Sequence, residues 1–192
     1  MLIVVALAAL AADCRGGGEP RGMASGSASP NQLGLGRAAT ADEIKAWDVA
    51  VSPDGAGLPP GSGTASQGAL LFKRSCAMCH GATGTEGPFA RLVGREPRQG
   101  FPFGRDPSLV KTIGNYWPYA TTLYDYINRA MPLNAPGSLQ PDEVYSAVAY
   151  LLWRNEIIAD TAVMNAQTLP RVVMPARDRF VVDNRRGGPE IR

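Results

Sequence analysis

A length of 192 residues holds one domain of ordinary size with long arms, and hardly two. Hydrophobic residues at 45% permit a core, while 22 Gly and 16 Pro predict much loop wrapped around a modest one. A formal charge of +2 gives no electrostatic reason to expect nucleic acid, three cysteines exclude a disulfide scaffold, and one histidine excludes any site needing two imidazoles.

The chain opens with MLIVVALAALAADC. This apolar run is too short to cross a bilayer as a helix and fits the hydrophobic stretch of a signal peptide over 1–14. No Lys or Arg precedes Cys14, so either the α-amino group supplies the positive end or the start lies upstream. Ala9, Ala11 and Ala12 suit a signal peptidase, with a lipoprotein leader anchored at Cys14 as the alternative. Export to the periplasm is the expectation, with no transmembrane helix once the leader is removed.

Residues 15–40 are rich in Gly, Ser and Ala without apolar periodicity and read as a flexible linker. A short helix is expected from Ala41, with Thr40 as N-cap and Glu43 completing a capping box. It places Ile44 and Trp47 on one face. After a stretch of turn residues, Ala65 to Cys79 reads as one helix. Residues 81–120 are Gly- and Pro-rich with scattered aromatics, and so long a structureless segment needs something to pack on, such as a large buried ligand. A helix capped by Thr121 or Thr122 then runs through about Arg129, and MPLNAPGSL breaks it. Pro141 suits the first position of a last helix, whose Val144, Val148, Leu151 and Leu152 form an apolar stripe through about Arg154. Residues 171–192 carry six Arg and read as a solvated tail, with a docking surface as the alternative; 183–192 is expected to be disordered.

Cys76-Ala77-Met78-Cys79-His80 is C-x-x-C-H, the attachment sequence of c-type haem. An offset of three residues puts both thiols along one edge of a porphyrin, where they add to its two vinyl groups. His80 then faces the iron from the same side. A thioredoxin-type reading needs a βαβ context that is not legible, and a zinc site needs four ligands that this chain does not supply. With no second histidine, methionine is the natural sixth ligand. Of Met131, Met164 and Met174, which lie outside leader, linker and motif, Met131, directly after a predicted helix and before Pro132, is the first choice, with Met174 next and an open or water-bound iron last. The Pro88 carbonyl is expected to take the second ring N–H of His80, and Gly81 and Gly84 to let the backbone approach the ring edge. Tyr116, Trp117, Arg91 and Arg129 are candidates for the haem propionates, with Leu71, Phe72, Leu92 and Ile127 sealing the pocket.

With these features the sequence resembles class I cytochrome c, in which the helix bearing the motif crosses a C-terminal helix; Gly68 and Phe72 match the contact positions on the first, and Tyr145, Ala149 or Leu152 those on the last. Longer phrases, LFKRSCAMCHGATGTEGP, KTIGNYWPYATTLYDYINRAMPLNAPGSL and LPRVVMPARDRF among them, are similar to the SoxD-type cytochrome c subunits of periplasmic sulfite or sulfane dehydrogenases over roughly 40–182. That resemblance implies a mainly α fold of three to five short helices around one covalent haem c, a monohaem domain over 41–182 with long irregular arms. It implies that Cys76, Cys79 and His80 hold the haem, with Met131 as distal ligand. It implies an electron-transfer protein that is no enzyme by itself, serving a molybdopterin-containing dehydrogenase subunit and passing electrons to a downstream cytochrome or oxidase. Some relatives carry two haems; this chain has one attachment motif. A free electron carrier, a subunit of another dehydrogenase, and a haem sensor or enzyme with an exchangeable sixth site are the rival functions.

Overall fold

The computed structural model describes residues 35–181, so the leader, the linker before residue 35 and the tail after 181 lie outside the described residues. Contacts divide the chain into Met1–Ala41 and Asp42–Arg192. Of the first unit, residues 35–40 are exposed and without regular structure.

Five α-helices are described: α1 Ala41–Trp47, α2 Ala65–Ser75, α3 Ala77–His80, α4 Ala120–Ala130 and α5 Pro141–Arg154. The mainly α expectation holds. The stripe read from Val144 to Leu152 is the middle of α5, which buries every residue from Val144 to Leu152 and so forms the axis of the core. Pro141 opens it where a missing N–H costs nothing, and Gln140 and Glu143 close a reciprocal capping box there. Thr64 and Gln67 do the same for α2.

The helix expected from Ala65 to Cys79 is broken instead at Cys76, whose φ of −121° leaves the helical range; α2 ends there and the single turn α3 begins. Neither Thr121 nor Thr122 caps α4. Tyr119 holds the N-cap position without a side-chain cap; the Thr121 hydroxyl donates to the Pro53 carbonyl and the Thr122 hydroxyl to the Tyr119 carbonyl.

α2 crosses α5 at Gly68. A β-carbon there would lie 1.9 Å from the Ser146 carbonyl oxygen, so only glycine lets the two backbones meet this closely. One turn on, Phe72 packs on Tyr150 with ring centroids 5.0 Å apart. Tyr124 of α4 and Tyr145 of α5 meet at 4.6 Å, both fully buried, and each ring of this kind removes about 1.5–3 kcal/mol worth of apolar surface from water.

Sequence periodicity gives no sign of the one sheet described. Strand β1, Ser62–Thr64, pairs antiparallel with β2, Val163–Asn165, Gly63 facing Met164. Three residues are too few for alternation to register. The pair ties the chain ahead of α2 to the segment that follows α5. The Gly/Pro-rich stretch before α4 also builds a small core of its own. Phe101, Phe103, Tyr116 and Phe180 stack or meet edge-on at 4.9–5.5 Å, bringing the C-terminal arm onto the loop.

Candidate haem site

The ending of α2 at Cys76 decides how the motif is presented. Cys79 and His80 both return their backbone N–H to the Cys76 carbonyl, at 3.1 and 3.0 Å, so α3 is a tight turn that carries Cys79 and His80 away from the α2 axis. Cys76 is half-buried against the core, and burial, with a smaller contribution from Cys79, pushes its thiol up to about 11. The thiol therefore keeps its proton at neutral pH. Cys79 and His80 are half-buried beside it. Neither cysteine is in a disulfide.

The His80 Nδ1 lies 2.9 Å from the Ala90 carbonyl oxygen. A carbonyl only accepts, so Nδ1 carries the proton and Nε2 keeps a lone pair for a metal. Pro88, the expected acceptor, is two residues short: the loop returns along the motif with Phe89 N–H donating to the Cys79 carbonyl at 3.1 Å, which brings Ala90 to the ring.

Met131 closes α4 as its C-cap residue and packs, half-buried, against the same apolar cluster as Cys76, Ala77, Leu92 and Trp117. The alternatives sit differently. Met174 is 2% exposed and Met164 4% exposed, both inside the protein core. Leu71, Phe72 and Ile127, expected to seal the pocket, are buried in the core and Leu92 is partly so.

The proposed propionate partners are engaged within the protein. Trp117 Nε1–H donates to the Thr122 hydroxyl at 2.9 Å, Arg91 Nε–H to the Val93 carbonyl at 2.9 Å, and Arg129 pairs with Asp125 on α4. Tyr116 belongs to the aromatic cluster of the loop, under the Lys111 ammonium. Gly84 is buried beside Val93 and Phe72, and its carbonyl accepts from Leu92 N–H and Val93 N–H at 2.8 and 3.1 Å. It braces the loop.

Asp125 was not singled out from sequence and does more than pair with Arg129. It is 9% exposed, and its Oδ1 accepts the Val51 N–H at 2.9 Å, fastening the chain before β1 to the helix that ends in Met131. Polar residues at this depth hold structure when every bond is made. Asp125→Ala is expected to destabilise by about 2 kcal/mol, read in urea unfolding, because it leaves a buried N–H without an acceptor.

Glu86 was also not singled out. Hydrogen bonds from the Thr83 hydroxyl, then from Thr85, hold its carboxyl down from an ordinary 4.5 to about 2. A carboxylate depressed by folding stabilises above its unfolded pKa, and that contribution fades as pH falls through the folded one. Acidification from pH 5 to pH 2 at constant ionic strength should therefore loosen the 83–87 turn, and Glu86→Gln should flatten that dependence in amide exchange.

The donor set suits a haem. Two thiols lie three residues apart at a helical turn, the second imidazole nitrogen has no hydrogen bond among those described, and Cys76 and Met131, which caps α4, both pack against the apolar core. Among the described residues no three His, Cys, Asp or Glu side chains gather in the manner of a metal cage. No helix of the described residues is long and apolar enough to cross a membrane.

Residues 63–151 match the family model described as cytochrome c oxidase, cbb3-type, subunit III. Among solved structures, the sulfane dehydrogenase SoxCD from Paracoccus pantotrophus is similar at 42% identity, with a TM-score of 0.69 over 80% of this chain and 73% of that one. No curated protein sequence matches. A cytochrome c domain implies haem c and electron transfer as its work. On this identity and coverage, the chain belongs to the class I c-type cytochromes and, within them, to the SoxD-type cytochrome c subunits of sulfite and sulfane dehydrogenases.

Proposed function

We propose that the mature chain is a periplasmic monohaem cytochrome that accepts single electrons from a molybdenum-containing sulfite or sulfane dehydrogenase subunit and passes them to a downstream cytochrome or oxidase. Cys76 and Cys79 would hold the haem by thioethers, His80 Nε2 and the Met131 sulfur would ligate its iron, and the haem would supply a reversible one-electron couple. The observation that carries this reading is the His80 Nδ1–Ala90 carbonyl bond within C-x-x-C-H, which sets the tautomer a ligand needs. Enclosure of Met164 and Met174 in the core supports Met131, since withdrawing either would open a cavity costing about 2–5 kcal/mol.

The chain's own residues would give a bound haem a poorly hydrated setting. Leu71, Phe72 and Ile127 exclude water, and Asp125 anchors the helix that presents Met131. A site held this way changes little between oxidation states, which suits a carrier. The leader at 1–14, the linker at 15–40 and export, with or without a lipid at Cys14, complete the reading, because covalent haem attachment takes place outside the cytoplasm.

Protein exported from a host with haem-maturation machinery should keep its haem in acidified organic solvent, with one haem per chain by mass spectrometry. Bare polypeptide overturns the assignment. Met131→Ala should abolish the sulfur-to-iron charge-transfer band and lower the potential; an unchanged spectrum moves the ligand to Met174 or Met164. Ready carbon monoxide binding by the ferrous wild type at neutral pH would favour an exchangeable sixth site over a carrier. Co-purification with a molybdopterin protein tests the partner.

A further inference from the structure

Glu86 lies beyond the motif and touches neither thiol nor imidazole, yet it is the most heavily bonded carboxylate of this region. Its Oε1 accepts the Thr83 N–H at 3.0 Å. Its Oε2 accepts the Thr85 N–H at 3.0 Å, the Thr85 hydroxyl at 2.6 Å and the Thr83 hydroxyl. Four donors from two residues close the TGTEG segment into one rigid turn.

That turn rests on the haem-binding backbone. A β-carbon on Gly87 would lie 2.2 Å from the Cys79 carbonyl oxygen and 2.4 Å from the His80 carbonyl carbon, so residue 87 runs directly over the motif. The Glu86 stem lies 2.7 Å from where a β-carbon on Gly81 would stand. Two residues after Gly87 the Phe89 N–H takes the Cys79 carbonyl, and the next carbonyl, Ala90, takes His80 Nδ1. Glu86 is thus the knot at one end of a short chain of contacts whose other end is the imidazole.

We propose that Glu86 is a positioning residue for His80: by closing the 83–87 turn it presses Gly87 onto the Cys79–His80 backbone and sets the Ala90 carbonyl at the ring nitrogen. The inference rests on His80 being the iron ligand. A turn stabiliser with no reach to the ring would hold the same four bonds but leave the ring unaffected when they are cut. Here the contacts are continuous from carboxylate to imidazole, so cutting them weakens the Nδ1–H bond that makes the imidazole a stronger donor.

The test uses the full haem-loaded chain with Glu86→Ala and Glu86→Gln. In Glu86→Ala the Phe89 amide should exchange about tenfold faster or more, with Val148 and Leu152 of α5 unchanged. His80 ring-proton signals should shift, and the ferrous-to-ferric ratio at fixed mediator poise should rise about threefold as the imidazole becomes a weaker donor. Glu86→Gln keeps an acceptor oxygen and should fall between wild type and Glu86→Ala. Unmoved His80 signals and ratio in a haem-bearing Glu86→Ala overturn the positioning role and leave the haem assignment intact. Equal acceleration of the α5 amides also overturns it, as a global loss. A wild type without haem overturns the assignment and this inference together.

Discussion

Gly68→Ala should destabilise the protein by about 2 kcal/mol or more, although alanine is the better helix former by about 1 kcal/mol. The two effects oppose each other, so the sign of the result is informative. Propensity acts on α2 alone. The packing penalty arises because the new methyl group would stand 1.9 Å from the Ser146 oxygen, 2.6 Å from the Tyr150 β-carbon and 2.7 Å from the Ser146 carbonyl carbon. Two of these are backbone atoms in the middle of a buried helix and cannot turn aside as a side chain would. Relief requires α2 to back away from α5, which would separate Phe72 from Tyr150 and shift the end of α2, where Cys76 begins the motif. A thermal midpoint lowered by about 4–8 °C is expected for a chain of this size, with the charge-transfer band weakened in parallel. A variant as stable as wild type, or more so, would mean that the helices do not cross at this closeness.

That crossing was legible through the resemblance to class I cytochrome c, whose contact positions Gly68 and Phe72 match on one helix, while the apolar stripe and Pro141 marked the other helix by pattern alone. Cys76, Cys79 and His80 drew attention for a different reason, since covalent attachment of a haem would fix both residue type and offset. What stayed hidden depends on where a loop returns in space. The His80 partner is Ala90 and not Pro88 because the register of the returning segment is fixed by the Phe89-to-Cys79 bond, which no pattern in GTEGPFAR announces. Trp117 looked available to a propionate because an indole N–H needs a partner when buried, and sequence does not disclose that Thr122 is within reach.

The polar rivets were missed for related reasons. Asp125 and Asn155 are residue types that usually face water, so each reads as surface until its neighbours are known, whereas Glu86 does lie at the surface and only its bonding is hidden. Each bonds backbone groups of another segment or turn, and each steadies a part of the site: Asp125 the helix before Met131, Glu86 the turn over the motif, Asn155 the loop behind it. The aromatic group of Phe101, Phe103, Tyr116 and Phe180 modifies the expectation that the long loop needs a ligand to pack on. Part of that need is met by the chain itself, through an arm that returns from beyond α5.

Asn155→Ala should be the other severe loss, about 3 kcal/mol in urea unfolding, and its chemistry can be separated from its packing by a second variant. Asn155 is 1% exposed at the C-cap of α5. Its Oδ1 accepts the Gly94 N–H at 2.9 Å, and its Nδ2 donates to the Leu151 carbonyl at 2.8 Å and the Leu92 carbonyl at 3.2 Å. The Leu92 carbonyl also accepts from Ile113 N–H, and the Leu151 carbonyl from the Asn155 backbone, so both keep a partner after truncation. The Gly94 N–H has no other acceptor among the bonds described, and a β-carbon on Gly114 would lie 2.5 Å from Oδ1, which shows how closely the side chain is enclosed. Asn155→Asp keeps the acceptor for Gly94 but turns a second oxygen toward two carbonyls. As a carboxylate it is a buried charge facing acceptors; once protonated it can donate to one of them. Its folded pKa should therefore lie above the unfolded value, and its deficit against wild type should be largest at neutral pH and shrink as pH falls through the folded pKa. Asn155→Ala titrates nothing and should show a flat deficit over the same range. Because Leu92 N–H and Val93 N–H both bond the Gly84 carbonyl, their amides should exchange faster in either variant at pH 7, and in Asn155→Asp they should regain protection in acid, relative to wild type at the same pH. A deficit independent of pH in both variants would show that the site carries shape alone, with no directed hydrogen bond between α5 and the loop behind the motif.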